Sequence, residues 1–263
     1  MESPVSIIAG KEIRDAFRDR RSLASSLLYT LMGPMIVGLL TFTRSTSANA
    51  AEAGTLLAMS SLFLLLSTFT GGMNIAMDTL AGERERRSLV PLVMNPLSQL
   101  QLIAGKWISI AAFSLLALLL SLIGFAIVIG LVLPTRFAEL ARLPLVASLL
   151  LAMLPLAMLA AAAELAISTI CRSVKEAHTW LAFLIFVPMG LGMFVAFHPS
   201  TSGEWAYAVP VLGQQVLLSH LVAGKAPPLS HTLVLCAVTV VSMLSLLRIT
   251  SRILHRDEVL YGN

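Results

Sequence analysis

Residues 107–133 read WISIAAFSLLALLLSLIGFAIVIGLVL, a stretch without a single charged side chain. A helix needs about 20 consecutive apolar residues to cross the roughly 30 Å hydrocarbon core of a bilayer. The shorter alternating segments of about 10 residues that build a membrane β-barrel are not visible in the sequence. The stretch therefore predicts a transmembrane helix, and with it an all-α integral membrane fold.

The composition of the whole chain supports this prediction. Of its 263 residues, 57% are hydrophobic and only 12% are charged, whereas a soluble domain carries about 25% charged residues. Apolar runs predict six spans within a single transmembrane domain that covers residues 1–263. The six predicted spans are 23–43, 55–77, 107–133, 143–168, 179–197 and 232–253.

Lysine and arginine are distributed unevenly among the connections between these spans. Of the 18 Lys and Arg residues, 14 fall in the N-terminal segment, residues 78–106, residues 169–178 and the C-terminal tail. The remaining four are Arg44, Arg136, Arg142 and Lys225. The positive-inside rule therefore predicts that both termini and residues 78–106 lie in the cytosol, as expected for a multi-pass protein of a bacterial cytoplasmic membrane.

Two further segments have a pattern of their own. Residues 1–22 interleave apolar and basic side chains, which is typical of a helix that lies in the membrane interface; the alternative is a solvated basic leader. Residues 198–231 contain an apolar run too short to span a bilayer, which predicts a re-entrant segment on the outer side. The polar side chains of that segment face either a transport pathway or water. They are Gln214, Gln215, Ser219 and His220.

Motifs for enzymatic chemistry are absent from the sequence. None of the three Gly-Lys pairs belongs to a Walker A motif, and neither HExxH nor GxSxG occurs. The five histidines have no metal-ligand spacing. We therefore predict a chain without a catalytic site, metal or cofactor of its own, and without a nucleic-acid partner.

One acidic residue lies deep within a predicted span. Glu164, in LAAAAELAIS, is about 12 Å along a helix from Arg172 at the predicted cytosolic end. Carboxylates inside spans are costly and usually face a bundle interior or an aqueous cavity. Glu164 is thus either a pathway or gating group, or an acid paired near the interface. Asn74 and Asp78, near the end of the second span, are weaker candidates for the same role.

The connection between the second and third spans has an internal order. Glu83, Arg84, Glu85, Arg86 and Arg87 form a mixed-charge cluster directly after the second span. After this cluster, Ser88 has the residue type of a helix N-cap, and Asn95-Pro96 ends the helix that it starts.

This short helix has an apolar side. Leu89, Leu92 and Val93 would form a knob at the cytosolic end of the bundle. The knob either docks into a partner or packs on the underside of its own bundle.

The same segment resembles a known family. The sequence GERERRSLVPLVMNPLSQLQLIAGKW, residues 82–107, is similar to the cytoplasmic motif of the ABC-2 type transporter permeases, and most similar to their NatB-like, sodium-exporter branch. KEIRDAFRDRRSL with Pro34 in the first span, and YAVPVLGQQVLLSHLVAGK near the C-terminus, resemble other parts of the same family.

This resemblance implies a role for each cytosolic segment. It implies a six-helix permease that dimerises, with itself or a related chain, and sits on ABC ATPase subunits that bind ATP and Mg²⁺. Residues 1–22 would be the elbow helix. The segment from Glu83 to Asn95 would be the coupling helix, with Glu83 to Arg87, Leu89, Leu92 and Val93 touching the ATPase. The 169–178 loop would supply a second contact.

The cargo stays open at this point. NatB-like permeases often carry a large insertion after the first span, whereas here only residues 44–54 follow it. Short permeases of this family handle drugs, lipids, peptides, polysaccharides and other cargoes, so the resemblance implies either Na⁺ or a small amphiphile. Two other classes remain as alternatives: an ion-coupled secondary transporter that uses Glu164, and a non-transporting membrane scaffold.

Overall fold

A computed structural model describes most of the chain. The described residues are 3–42, 50–89, 91, 98–132, 134–197, 203–222, 224–225 and 227–254. Within these ranges the chain is helical and contains no strand. The helices are α1 (Pro4–Arg18), α2 (Arg20–Phe42), α3 (Ala50–Thr70), α4 (Met73–Ala76), α5 (Glu83–Glu85), α6 (Gln99–Val132), α7 (Pro134–Leu140), α8 (Leu143–Ile170), α9 (Val174–Phe197), α10 (Leu212–Val222) and α11 (Leu229–Ile253), with a π-helix at Met77–Gly82 and a 3₁₀ helix at Glu204–Ala208.

Among the described residues, six helical stretches are long and apolar enough to cross a membrane. They are Arg20–Phe42, Gly54–Glu85, Gln99–Val132, Leu143–Ile170, Val174–Val195 and Leu229–Ile253. The prediction of an all-α membrane protein with six such helices is confirmed. Several stretches run beyond the predicted spans, because polar residues at their ends continue the helix past the apolar run.

A break at Asp19 separates α1 from the first spanning helix. The backbone amide of Asp19 closes α1 by bonding to the carbonyl of Asp15 at 3.3 Å. The Asp19 carboxylate then accepts hydrogen bonds from the amides of Arg21 (3.1 Å) and Ser22 (3.3 Å) at the start of α2. One residue thus ends one helix and caps the next, which lets α1 take a direction of its own.

The second spanning stretch is interrupted rather than straight. It breaks at Gly71-Gly72, continues through α4, passes through the π-helix and ends in α5. A Cβ at Gly71 would collide with the Ala117 side chain on α6, so the missing side chain of this glycine permits a very close approach of the two helices. Short π-helical turns inside α-helices are frequent at functional sites.

Two large clusters and one small cluster of buried residues form the core of the described bundle. One large cluster, which includes Leu65, Leu118 and Leu217, occupies one half. The other large cluster, which includes Leu80, Ile103 and Leu165, lies towards α1 and α5. We call the end that carries α1, residues 83–87 and the turn 171–173 the charged end.

The predicted re-entrant segment packs into the half away from the charged end. Helix α10 is buried along most of its length, and its glutamines tie it to spanning helices. Gln214 Nε2 donates to Thr239 Oγ1 on α11 at 2.8 Å, and Gln215 Nε2 donates to Ser61 Oγ on α3 at 3.2 Å. Because both glutamines are buried, neither of them faces bulk water.

Candidate functional site

The charged end is organised around a buried lysine. Lys106, in the first turns of α6, has no exposed surface. Its Nζ atom lies 3.0 Å from Glu12 Oε1 on α1 and 2.8 Å from Glu83 Oε1 on α5. It also donates to the backbone carbonyl of Thr79, within the π-helix, at 2.9 Å. All three ammonium hydrogens therefore have acceptors, each on a different element, which is the condition under which a buried cation is tolerated.

A glycine next to the lysine brings α1 close enough for this contact. A Cβ at Gly105 would lie 2.7 Å from Ile8 Cβ and 3.2 Å from the Val5 carbonyl oxygen on α1. Any side chain at this position would push α1 away from α6. Gly105 thus allows α1 to approach α6, and Lys106 forms the ion pair with Glu12 that joins the two helices.

The residue after Glu83 binds the end of α8. Arg84 Nη2 donates to the Thr169 carbonyl at 2.6 Å, and Nη1 donates to the carbonyls of Ile170 (3.3 Å) and Cys171. These carbonyls belong to the last turn of α8 or to the residue after it, where an α-helix leaves its acceptors without partners and carries partial negative charge. Arg84 therefore caps α8 from another part of the chain.

The next acidic residue caps α9. Glu85 Oε2 accepts a hydrogen bond from the amide of Val174, the first residue of α9, at 2.9 Å. An anion is favourable at a helix N-terminus because of the free amides there. Arg84 and Glu85 together fix the α8–α9 turn to α5.

Burial, reinforced by the Glu176 carboxylate and opposed by Arg84, raises the pKa of Cys171 in this turn to about 11. That thiol stays protonated at neutral pH and packs as a small apolar group.

The last two arginines of the cluster are at the surface. Arg86 Nη1 bonds to Asp78 Oδ1 at 2.8 Å, and both side chains are more than half exposed. Arg87 has a φ of 57°. Its amide bonds to the Arg84 carbonyl at 2.9 Å, and the Ser88 amide bonds to the Glu83 carbonyl at 2.8 Å. These two bonds form a Schellman motif, in which Arg87 is the left-handed residue that follows the C-cap of α5.

The predicted coupling residues differ in their exposure to solvent. Glu83 is 8% exposed and Leu89 only 1% exposed, and Leu89 belongs to the core cluster of the charged half. Both side chains therefore face their own bundle. The Ser88 hydroxyl donates back to the Glu83 carbonyl at 3.1 Å, and most of the helix that Ser88 was predicted to cap lies outside the described residues. Glu85, Arg86 and Arg87 are exposed and Arg84 is half-buried. Leu92 and Val93 lie outside the described residues.

The three predicted pathway residues do not form one site. Asn74 Nδ2 donates to the Ser22 carbonyl (3.1 Å) and to the hydroxyls of Ser25 (2.8 Å) and Ser26 (2.9 Å), so it holds α4 against α2. Asp78 forms the exposed pair with Arg86 described above. Glu164 lies in the interior and is hydrogen-bonded to neither of them.

Glu164 is fully buried between α8, α6 and the Gly71-Gly72 break. Neither of its carboxylate oxygens has a hydrogen-bond partner among the described residues, and the same holds for the buried hydroxyl of Ser114 on α6. A Cβ on Gly72 would lie 2.5 Å from Glu164 Oε2 and 2.6 Å from Ser114 Oγ. The missing side chain at Gly72 thus leaves room for the acid, and two unpartnered polar groups meet at this point.

The Lys106 cluster was not predicted as a site from the sequence. A signal was present, because a lysine directly before a 27-residue run without charge needs counter-ions if its helix is packed on all sides. Nothing in the spacing of Glu12, Glu83 and Lys106 indicates that they meet. Among the described residues, no three His, Cys, Asp or Glu side chains come together as metal ligands.

Comparison with known proteins places this architecture in context. The family model described as ABC-2 family transporter protein matches residues 6–247. Over 198 residues the chain is 27% identical to the "ABC transporter permease protein NatB" of Bacillus subtilis (strain 168), an alignment that covers 71% of this chain and 51% of that protein. The chain therefore spans about half the length of the curated relative that it matches.

The buried lysine gives a first testable prediction. Lys106→Met leaves Glu12 and Glu83 without their cation, and we expect it to lower the free energy of unfolding by about 3–5 kcal/mol. Lys11→Met is the matched control. The Lys11 side chain is 61% exposed and 3.5 Å from Glu12, so this change should cost less than about 1 kcal/mol. Thermal unfolding in detergent measures both, and equal effects of the two variants would contradict the assignment.

The isolated carboxyl gives a second prediction. Leucine is similar in size to glutamate and removes the unpartnered polar group, so Glu164→Leu should raise the free energy of unfolding by about 1–3 kcal/mol. Glu164→Gln keeps a buried polar group and should change stability little. Thermal unfolding of the purified protein compares the two. A marked loss of stability in Glu164→Leu would mean that the carboxyl makes stabilising bonds in the folded protein.

Proposed function

Because the chain belongs to the ABC-2 family of transporter proteins, we propose that it is the permease subunit that exports a cargo across the cytoplasmic membrane with energy from ATP hydrolysed by a separate ATPase subunit. The observation that carries this proposal is that side-chain ion pairs and hydrogen bonds hold three segments together at the charged end. The Lys106 cluster joins α1 to α5, and Arg84 and Glu85 join α5 to the α8–α9 turn. In this proposal, a displacement of this surface by the ATPase subunit moves α1, α6, α8 and α9 together, because these contacts join them to α5.

The proposed orientation follows from charge. The charged end holds the N-terminal basic residues, Arg84, Arg86 and Arg87, and the turn that leads to Lys175. The positive-inside rule places such an end in the cytosol, where an ATPase subunit would bind. Both termini then lie in the cytosol, and α1 corresponds to an interfacial elbow helix.

We propose that fewer residues touch the ATPase than the sequence pattern indicated. Glu83 and Leu89 serve the internal packing, and Arg84 serves as the cap of α8. The exposed residues Arg86 and Arg87, together with Leu92 and Val93 of the predicted coupling helix, are the groups that we propose touch the partner. In this arrangement the internal residues hold the coupling segment while the external ones bind.

Glu164 is the proposed pathway or gating group. It lies in a spanning helix beside the Gly71-Gly72 break, at the border between the two large core clusters. A buried carboxyl next to an interrupted helix marks a point where the bundle can open and where an ion or polar group can be accommodated. The cargo that we propose is Na⁺ or a small amphiphile, moved by a dimer of two permease chains.

The same carboxyl favours one alternative function. An ion-coupled secondary transporter would use Glu164 as its ion-binding group and would need no ATPase. Reconstitution into vesicles separates the two functions: transport driven by an ion gradient in the absence of any ATPase subunit would support the alternative, and transport only with the ATPase subunit and ATP would support the ABC exporter.

The coupling proposal predicts a loss of ATPase binding without a loss of folding. Leu92→Asp should reduce recovery of the co-expressed ABC ATPase subunit by at least about tenfold, because a central apolar anchor contributes 2 kcal/mol or more to binding. Arg87→Glu should cause a smaller loss that is greatest at low salt. Co-purification and ATP turnover measure both effects. The control is Lys225→Glu, which reverses an exposed charge after α10, in the half of the bundle away from the charged end.

Thermal unfolding of each variant distinguishes a binding defect from a folding defect. The proposal requires that Leu92→Asp and Arg87→Glu unfold at the wild-type temperature. If the complex and its ATP turnover persist in both variants, this segment does not bind the ATPase.

A further inference from the structure

A cavity of about 400 Å³ lies in the half of the bundle away from the charged end. Helices α3, α6, α7, α8 and α10 contribute to its wall, so most of the wall comes from membrane-spanning helices. Some lining side chains also have a large exposed surface, such as Ile123, which is 57% exposed, and Phe137, which is 38% exposed. The cavity therefore borders the outer surface of the bundle at membrane depth and is accessible from the bilayer.

The described residues that line the cavity offer no free polar group. Apart from Ser60 and Ser61, all lining residues are alanine, valine, leucine, isoleucine or phenylalanine. Ser60 Oγ donates to the Leu56 carbonyl and Ser61 Oγ to the Ala58 carbonyl, both at 2.8 Å. A cavity without available polar partners does not hold water and accepts apolar ligands instead.

The size of the cavity fits one hydrocarbon chain. An apolar protein cavity of about 150 Å³ admits benzene, so a cavity of about 400 Å³ has room for roughly 16 carbon atoms. That is the size of a fatty-acyl chain, the apolar ligand that a bilayer supplies in excess. A membrane lipid also carries a phosphate, which favours a cation near the mouth of its site.

An arginine is in the right place for that phosphate. Arg142 is exposed and lies between the lining residues Ala141 and Leu145. Its carbonyl accepts hydrogen bonds from the amides of Leu145 (3.0 Å) and Val146 (3.1 Å), both of which line the cavity. Arg142 is thus held at the start of α8, at the rim of the apolar wall. An arginine here is complementary to a phosphate both in charge and in hydrogen-bonding geometry.

We propose that this cavity is a binding site for a phospholipid of the bilayer, with one acyl chain between α3, α6, α8 and α10 and the phosphate on Arg142. This site is separate from the ATPase contact and does not depend on the proposed function. A bound acyl chain would fill the space between α10 and the spanning helices. It would thereby stabilise the half of the bundle away from the charged end.

Lipid retention by the purified full-length protein tests this site. The protein is exchanged into detergent with phosphatidylglycerol that carries 16- and 18-carbon chains, washed, and examined by native mass spectrometry. We expect the wild type to retain one lipid per chain. Ala126→Trp fills the cavity from α6 and should lower the retained fraction at least fivefold. Ile127→Trp, one residue further on and 58% exposed, adds an indole outside the cavity and should retain the lipid.

The headgroup contact has its own measurement. Arg142→Gln should increase the lipid concentration needed for half-occupancy about tenfold, while Arg142→Lys should recover part of this loss. Equal lipid retention by Ala126→Trp and Ile127→Trp would overturn the proposal. It would also fail if Ala126→Trp converted a dimer into monomers without changing lipid retention, because the cavity would then receive a second copy of the chain. Thermal unfolding of each variant confirms that the comparison concerns folded protein.

Discussion

The charged end of this protein depends on one buried cation. Lys106 has no contact with solvent, and its ammonium group is neutralised by Glu12 from α1 and Glu83 from α5. Removing water from a charge is costly, and only a complete set of close acceptors offsets that cost. The cluster is therefore stable only when α1, α6 and the π-helical segment are all in place. A single side chain thus requires three separate parts of the chain to adopt one arrangement.

The neighbouring residues extend this arrangement to the rest of the charged end. Arg84 and Glu85 cap the end of α8 and the start of α9, so the connection between these helices moves with α5. The other half of the bundle has a different character, with an apolar core, the glutamine contacts of α10 and a cavity at its edge. Glu164 lies near the border between the two halves, beside the break at Gly71-Gly72. A tightly bonded end, a helix break and a half with a cavity at its edge are consistent with the proposed function, in which a partner acts on one end of the membrane domain.

The sequence predicted the fold better than it predicted the site. Apolar run length identifies spanning helices because the thickness of the bilayer sets one requirement for all of them. The cluster at Lys106 depends on residues 94 and 23 positions away from it in the sequence, and no local pattern encodes which distant acids a lysine meets. The pattern at 83–89 was ambiguous for the same reason, since nothing local to Glu83 or Leu89 tells whether its side chain contacts a partner or packs on its own bundle. Glu164 was identified because a carboxylate within an apolar span is unusual wherever it lies.

Hydrogen–deuterium exchange in the Lys106→Met variant tests the central claim most directly. If Lys106 holds α1 and the segment 83–89 together, amide exchange should become faster in both regions, and to a similar degree, while α10 keeps its wild-type rates. Faster exchange in α1 alone, or wild-type rates in both regions, would contradict the account, because the two segments would then be held in place independently of the buried lysine.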